Sequence, residues 1–178
     1  MINTLKVCFG ECKRIDSSKC ILKTSYEMTR LGFFYVFDDR ENEPDEPVKI
    51  VGAKDNHQLR VQNNDKKEIC LVKTDNCLFN DDHKKCDCIL FGNNKLFFVE
   101  ISEAKEKNKK RNDAVEQLGI TIELFLDNNI DLSNFESKAV ICFKSGKTKP
   151  TQSSFNSKRA LFKQKYKVSL EEGNFISF

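Results

Sequence analysis

Two apolar runs, residues 86–91 (CDCILF) and 96–101 (LFFVEI), flank the four residues Gly92, Asn93, Asn94 and Lys95. This spacing calls for a tight hairpin, because two asparagines tolerate positive φ at both central positions of a two-residue turn. With Asn93-Asn94 as the whole loop, counting sets the register: Gly92 faces Lys95, Phe91 faces Leu96, Ile89 faces Phe98 and Asp87 faces Glu100. Large apolar residues occupy both faces of the hairpin, which predicts helices covering both sides.

Asp87 and Glu100 are costly in such surroundings. As direct cross-strand neighbours their Cβ atoms would lie about 4.5–5.5 Å apart, where like charges destabilise. Two arrangements relieve the repulsion. A hard divalent cation such as Mg²⁺ binds both carboxylates, with water and a substrate phosphate completing its shell, or the hairpin ends at the sheet edge and both acids are hydrated.

The chain has 178 residues, enough for one domain with a proper core. Its 39% hydrophobic and 32% charged residues describe an ordinary soluble globular protein. No apolar run approaches the roughly 20 residues that span a bilayer, and the first residues lack the apolar core of a signal peptide. A cytoplasmic protein with no membrane association is expected.

The eight cysteines, at 8, 12, 20, 70, 77, 86, 88 and 142, are scattered, with only two histidines and no CxxC pair. Reduced thiols and no structural zinc are expected. Cys86 and Cys88 alternate with Asp87, which places both on the opposite strand face beside Leu90, Phe97, Val99 and Ile101.

The net charge of +3 conceals an uneven distribution. Residues 137–170 contain no Asp or Glu but carry Lys138, Lys144, Lys147, Lys149, Lys158, Arg159, Lys163, Lys165 and Lys167. Such a block is either a solvated face or, interleaved with Phe155, Phe162 and Tyr166, a track for a phosphate backbone; for the latter, Lys147, Lys149, Lys158, Arg159 and Lys163 are the candidates. The acidic, proline-flanked run at 38–47 reads as an exposed loop.

Along the chain, residues 17–32 resemble a short helix capped by Ser17 or Ser18 and stopped by Gly32, and 33–37 (FFYVF) a strand. Residues 54–67 are polar and carry no clear signal. Residues 68–79 read as a strand and 80–85 as a connection to the hairpin. Ala114, Leu118, Ile122 and Phe125, with Val115 and Leu126, form the apolar stripe of a helix over 103–129. A buried strand at 137–146, a basic helix at about 157–165 and a short strand at Val168 complete the order β, β, β, α, β, α, β, with a crossover packed on the sheet.

This order, with Cys86-Asp87 on the second strand, Glu100 near the end of the third and AVEQL (114–118) on the following helix, resembles the PD-(D/E)XK nuclease superfamily. The likeness runs from Glu68 to about Val168. It implies one α/β domain over 1–178, three-layered α/β/α with a mixed central sheet, in which residues 68–170 form a restriction-endonuclease-like core and 1–67 an N-terminal elaboration. It also implies that Asp87, Glu100 and the carbonyl of Ile101 bind Mg²⁺ or Mn²⁺, and that Gln117 matches a helix glutamine beside the site. Asp75 is a further acid near the site or a turn former. Where the superfamily usually reads E-x-K this chain reads E-I-S, with Ser102 in the lysine position, and superfamily members are known whose lysine is displaced to a neighbouring element. Lys85, opposite Ser102 in the counted register, and Lys105, three residues beyond it, are the replacements available. The resemblance implies a metal-dependent endonuclease of DNA or RNA. Its alternative is a catalytically degenerate nuclease-fold protein that binds nucleic acid or a protein partner as a regulatory subunit. Superfamily members serve restriction, repair or anti-phage defence, among which these residues do not select.

Overall fold

The computed structural model describes residues 1–12, 24–38, 47–52, 58–79, 84–102, 107–143 and 153–178. In chain order they form α1 (Ile2–Phe9), β1 (Tyr26–Thr29), β2 (Phe33–Phe37), β3 (Lys49–Val51), β4 (Leu59–Gln62), β5 (Ile69–Lys73), a π-helical turn (Thr74–Leu78), β6 (Cys88–Gly92), β7 (Lys95–Ser102), α2 (Lys107–Asp127), β8 (Glu136–Phe143), α3 (Ser153–Tyr166), β9 (Ser169–Glu172) and β10 (Phe175–Ser177).

The hairpin is built as its turn requires. Asn93 and Asn94 have φ of 46° and 59°, and β6 pairs with β7 from Gly92–Lys95 through Ile89–Phe98 to Cys88–Val99. Gly92 admits the neighbouring strand, since a Cβ there would lie 2.6 Å from the carbonyl oxygen of Glu68. The hairpin is central in a six-stranded sheet of order β1-β5-β6-β7-β8-β9. β1, β5, β6 and β7 pair antiparallel, while β7, β8 and β9 pair parallel through the α2 and α3 crossovers.

The chain is of mixed α/β class, but the expected α/β/α layering is corrected. Leu5 of α1, Leu118, Ile122 and Phe125 of α2, and Phe155 and Phe162 of α3 all join one core with Val72, Ile89, Phe98 and Ile141. The other face of the sheet packs Leu71, Leu90, Phe97, Val99 and Val140 against Phe34, Val36, Leu59, Val61 and Ile176. These come from a second sheet of order β10-β4-β2-β3. Apolar strand residues need cover, and a sheet with one alternating apolar face covers them as a helix layer would.

Other local expectations fail for identifiable reasons. In place of a helix reaching Gly32, Tyr26–Thr29 is a strand whose pairing with β5 turns Tyr26 into the core and sets Glu27 against Lys73, a tertiary override of helical pattern. Asp38 is buried instead of exposed: its amide donates to Gln58 Oε1 and its carbonyl accepts from Gln58 Nε2. The rest of the acidic run, 39–46, lies outside the described residues. On α2 the stripe of Ala114, Leu118, Ile122 and Phe125 is buried, whereas Leu126 stands off it and is 46% exposed.

Candidate functional site

β5 and β7 each run antiparallel to β6, and β8 and β9 run parallel to β7, so the C-terminal ends of β5, β7, β8 and β9 meet at one end of the sheet with the start of β6. This is where ligands bind in open α/β sheets. Asp87, Glu100, Lys85 and Ser102 are all buried there, each less than a tenth exposed.

The counted register holds as far as Cys88–Val99 and then breaks. The amide of Asp87 donates to the carbonyl of Val99, the residue already opposite Cys88, so two residues of one strand share one partner. That count defines a β-bulge, a device that re-aims side chains. Asp87 is therefore not the ladder partner of Glu100, and Lys85 is not placed opposite Ser102. The cause lies in the preceding turn: the amides of Thr74 and Asp75 both donate to the carbonyl of Asp87, at 3.2 and 3.4 Å, and bend the chain there.

The bulge inverts the facing of what precedes it. Cys88 joins Leu90, Phe97, Val99 and Ile101 as expected, but Cys86 enters the opposite, helix-side core. Its amide donates to Thr121 Oγ1 at 2.8 Å, and its carbonyl accepts from the Thr74 hydroxyl. Burial pushes the Cys86 thiol up to about 12, and the charge of Glu100 adds to the shift. Such a thiol is protonated at neutral pH and is a poor metal ligand.

The carboxylate of Asp87 reaches along the strand, where Oδ2 accepts the main-chain N–H of Ile101, the residue beside Glu100. Ile101 lies two residues beyond Val99, so its carbonyl points to the same edge as its N–H, toward Asp87. Glu100 and Ser102 share the parity of Leu96 and Phe98, which face the helices. Asp87 Oδ1 and Glu100 Oε2 take no part in a hydrogen bond among the described residues, while both residues keep further contacts.

Lys85 Nζ stands 3.5 Å from Asp75 Oδ1, which makes Asp75 a member of the cluster as well as a turn residue. Gln117 Nε2 donates to the Lys85 carbonyl at 3.1 Å, and one turn along α2 the Thr121 hydroxyl donates to the Gln117 carbonyl. The helix thus grips the Lys85-Cys86 main chain. Lys105 lies outside the described residues.

Two carboxylates and one carbonyl suit a hard cation that keeps several waters, and suit zinc poorly. Among the described residues no group of three or more His, Cys, Asp or Glu side chains is arranged to hold a metal ion.

The basic block is only partly available for contact. Lys147 and Lys149 lie outside the described residues. Lys163 is exposed, and half-buried Lys158 bonds Asn112 Oδ1. Arg159 turns inward: its Nε donates to the Leu170 carbonyl at 2.7 Å and its guanidinium lies 5.4 Å from the centre of the Phe155 ring. Phe155 and Phe162 belong to the core and offer no surface for base stacking.

Thr74, Thr121 and Arg111 escaped the sequence reading. Thr121 leaves a trace as a hydroxyl four residues after Gln117, beside the apolar stripe. Arg111 pairs with Glu172 at the end of β9, a long-range contact that only the assembled sheet creates. No helix among the described residues is long and apolar enough to cross a membrane. Comparison with known proteins finds no family model, no curated protein and no solved structure that matches the chain.

Proposed function

We propose that the protein is a metal-dependent phosphodiesterase acting on nucleic acid, with a core of the PD-(D/E)XK kind. The observation that carries this reading is the bond from the Ile101 amide to Asp87, which brings that carboxylate to the end of β7, the strand that carries Glu100 and the Ile101 carbonyl. The run from β5 through β6, β7, α2 and β8, with its parallel β7–β8 crossover, supports it. Asp87, Glu100 and the Ile101 carbonyl would hold Mg²⁺ or Mn²⁺, which when bound supplies Lewis-acid stabilisation of a phosphate and a more acidic water. Lys85, whose ammonium lies by Asp75 and whose carbonyl accepts from Gln117, would supply the fixed cation that Ser102 does not. Exposed Lys163 and the lysines of the basic block would contact the phosphate backbone.

The pairing of Lys85 with Asp75 also favours a second reading, a degenerate nuclease fold that binds nucleic acid or a partner protein without cutting. Incubation with supercoiled and single-stranded DNA and with RNA, in Mg²⁺ or Mn²⁺, separates the two. The enzyme cuts, Asp87→Ala and Glu100→Ala do not, and Lys85→Ala cuts about ten- to a hundredfold more slowly with binding nearly intact. No cleavage by the wild type or by folded Ser102→Lys, with binding retained, supports the second reading and overturns the first.

A further inference from the structure

Cys77 lies in the same π-helical turn as Asp75 and is fully buried. Its Sγ stands 2.7 Å from that of Cys12, which is 3% exposed, although the two residues are 65 positions apart in sequence. They form a small core cluster of their own, separate from both apolar cores. The Ser25 hydroxyl donates to Cys77 Sγ at 3.4 Å, and the Thr24 carbonyl lies 3.8 Å from it.

Both sides of this contact are held independently. Cys12 follows α1, which is anchored by buried Leu5 and by Phe9, whose ring centre lies 5.0 Å from that of Phe79 at the end of the turn. The turn itself is held by the bonds from Thr74 and Asp75 to the Asp87 carbonyl. Cys86 and Cys88, the cysteines nearest each other in sequence, are split between the two faces of the sheet. Both Cys12 and Cys77 are thiols in this structure.

We propose that Cys12 and Cys77 form a modification site: a reversible intramolecular disulfide that ties the segment after α1 to the turn presenting Asp75. With hydrogen peroxide as oxidant, one thiol cleaves the O–O bond, becoming a sulfenic acid as one water leaves. The second thiol attacks that sulfur, the S–O bond breaks, the S–S bond forms and a second water leaves. Two thiols and one peroxide thus become one disulfide and two waters, and a dithiol reductant restores both thiols by exchange. The bond constrains the unfolded chain across a long loop and so stabilises the fold. This site does not depend on the chemistry proposed at Asp87 and Glu100.

The test oxidises the full chain with hydrogen peroxide, blocks remaining thiols with N-ethylmaleimide in denaturant and maps tryptic peptides without reductant. Residues 7–13 should be found joined to residues 74–84, separable by dithiothreitol. Oxidation should raise the melting temperature by about 5–15 °C, a shift abolished in Cys12→Ser and Cys77→Ala and kept in Cys8→Ser. Fragmentation of the joined wild-type peptide locates the bonded sulfur even if a variant misfolds. Complete labelling of Cys77 after oxidation, or a link that runs through Cys8, would overturn the proposal.

Discussion

The main-chain N–H of Ile101 donates to the carboxylate of Asp87, a bond made possible by a bulge that ends the β6–β7 ladder at Cys88–Val99. The acid that the hairpin count sets against Glu100 therefore also completes the backbone bonding of a buried strand end. This structural demand falls on the same side chain as the proposed metal-binding role.

Removing that carboxylate leaves a buried amide without its acceptor, at a cost of about 1–3 kcal/mol. For a chain of this size Asp87→Ala should melt about 2–10 °C lower, and Asp87→Asn, which keeps an oxygen, should lose less than half of that. Scanning calorimetry decides the sign. A rise in Asp87→Asn, with Mg²⁺ and Mn²⁺ leaving the wild type unmoved, would mean that repulsion from Glu100 outweighs the bond.

Lys73 is 3% exposed at the end of β5, and its ammonium lies 3.0 Å from Glu27 of β1. Breaking a buried pair from one side costs about 3–5 kcal/mol because a charge is stranded. Glu27 retains some solvent contact, so Lys73→Met should cost about 2–4 kcal/mol by urea denaturation. Lys73→Met/Glu27→Leu should recover most of the loss; a double variant as unstable as the sum of both single ones would show that the two residues act separately.

Burial pushes the thiols of Cys70, Cys86 and Cys142 up to about 12 from an ordinary value of 9.0. Between those limits the unfolded chain releases protons that the folded chain keeps. The stabilisation is complete below pH 9 and is lost as pH rises toward 12, with a slope of at most about 1.4 kcal/mol per pH unit for each thiol. The urea midpoint should fall between pH 8 and pH 10, and less steeply in Cys142→Ala. Parallel slopes in the two proteins would assign the alkaline loss to other groups.

Much of the site's neighbourhood was legible because its signals are local. Asn93 and Asn94 specify the turn, the apolar runs specify burial, and Ala114, Leu118, Ile122 and Phe125 specify the core face of α2. The role of Asp75 was left between two readings by its position after an apolar run, and the structure gives it both. Glu27, Asp38 and Gln58 were not legible in the same way: nothing within a few residues of each names its partner, and each partner lies on another strand or segment.

Local sequence alone specified the hairpin, its register from Gly92–Lys95 to Cys88–Val99 and the β7–α2–β8 crossover, but left Asp87 and Glu100 between a buried pair and a hydrated sheet edge; the assembled sheet buries both. Turn chemistry and side-chain periodicity act over a few residues and can be counted. It took the assembled fold to stop the ladder before Asp87, to turn Cys86 toward the helices and to cover the far face with a second sheet. Each of these turns on which distant groups compete for the same backbone atoms or apolar surface. The Asp87 carbonyl is taken by the amides of Thr74 and Asp75, its carboxylate by Ile101 and the Cys86 amide by Thr121. Strand periodicity carries no record of that competition, because it is settled only when the chain has brought those groups within bonding distance.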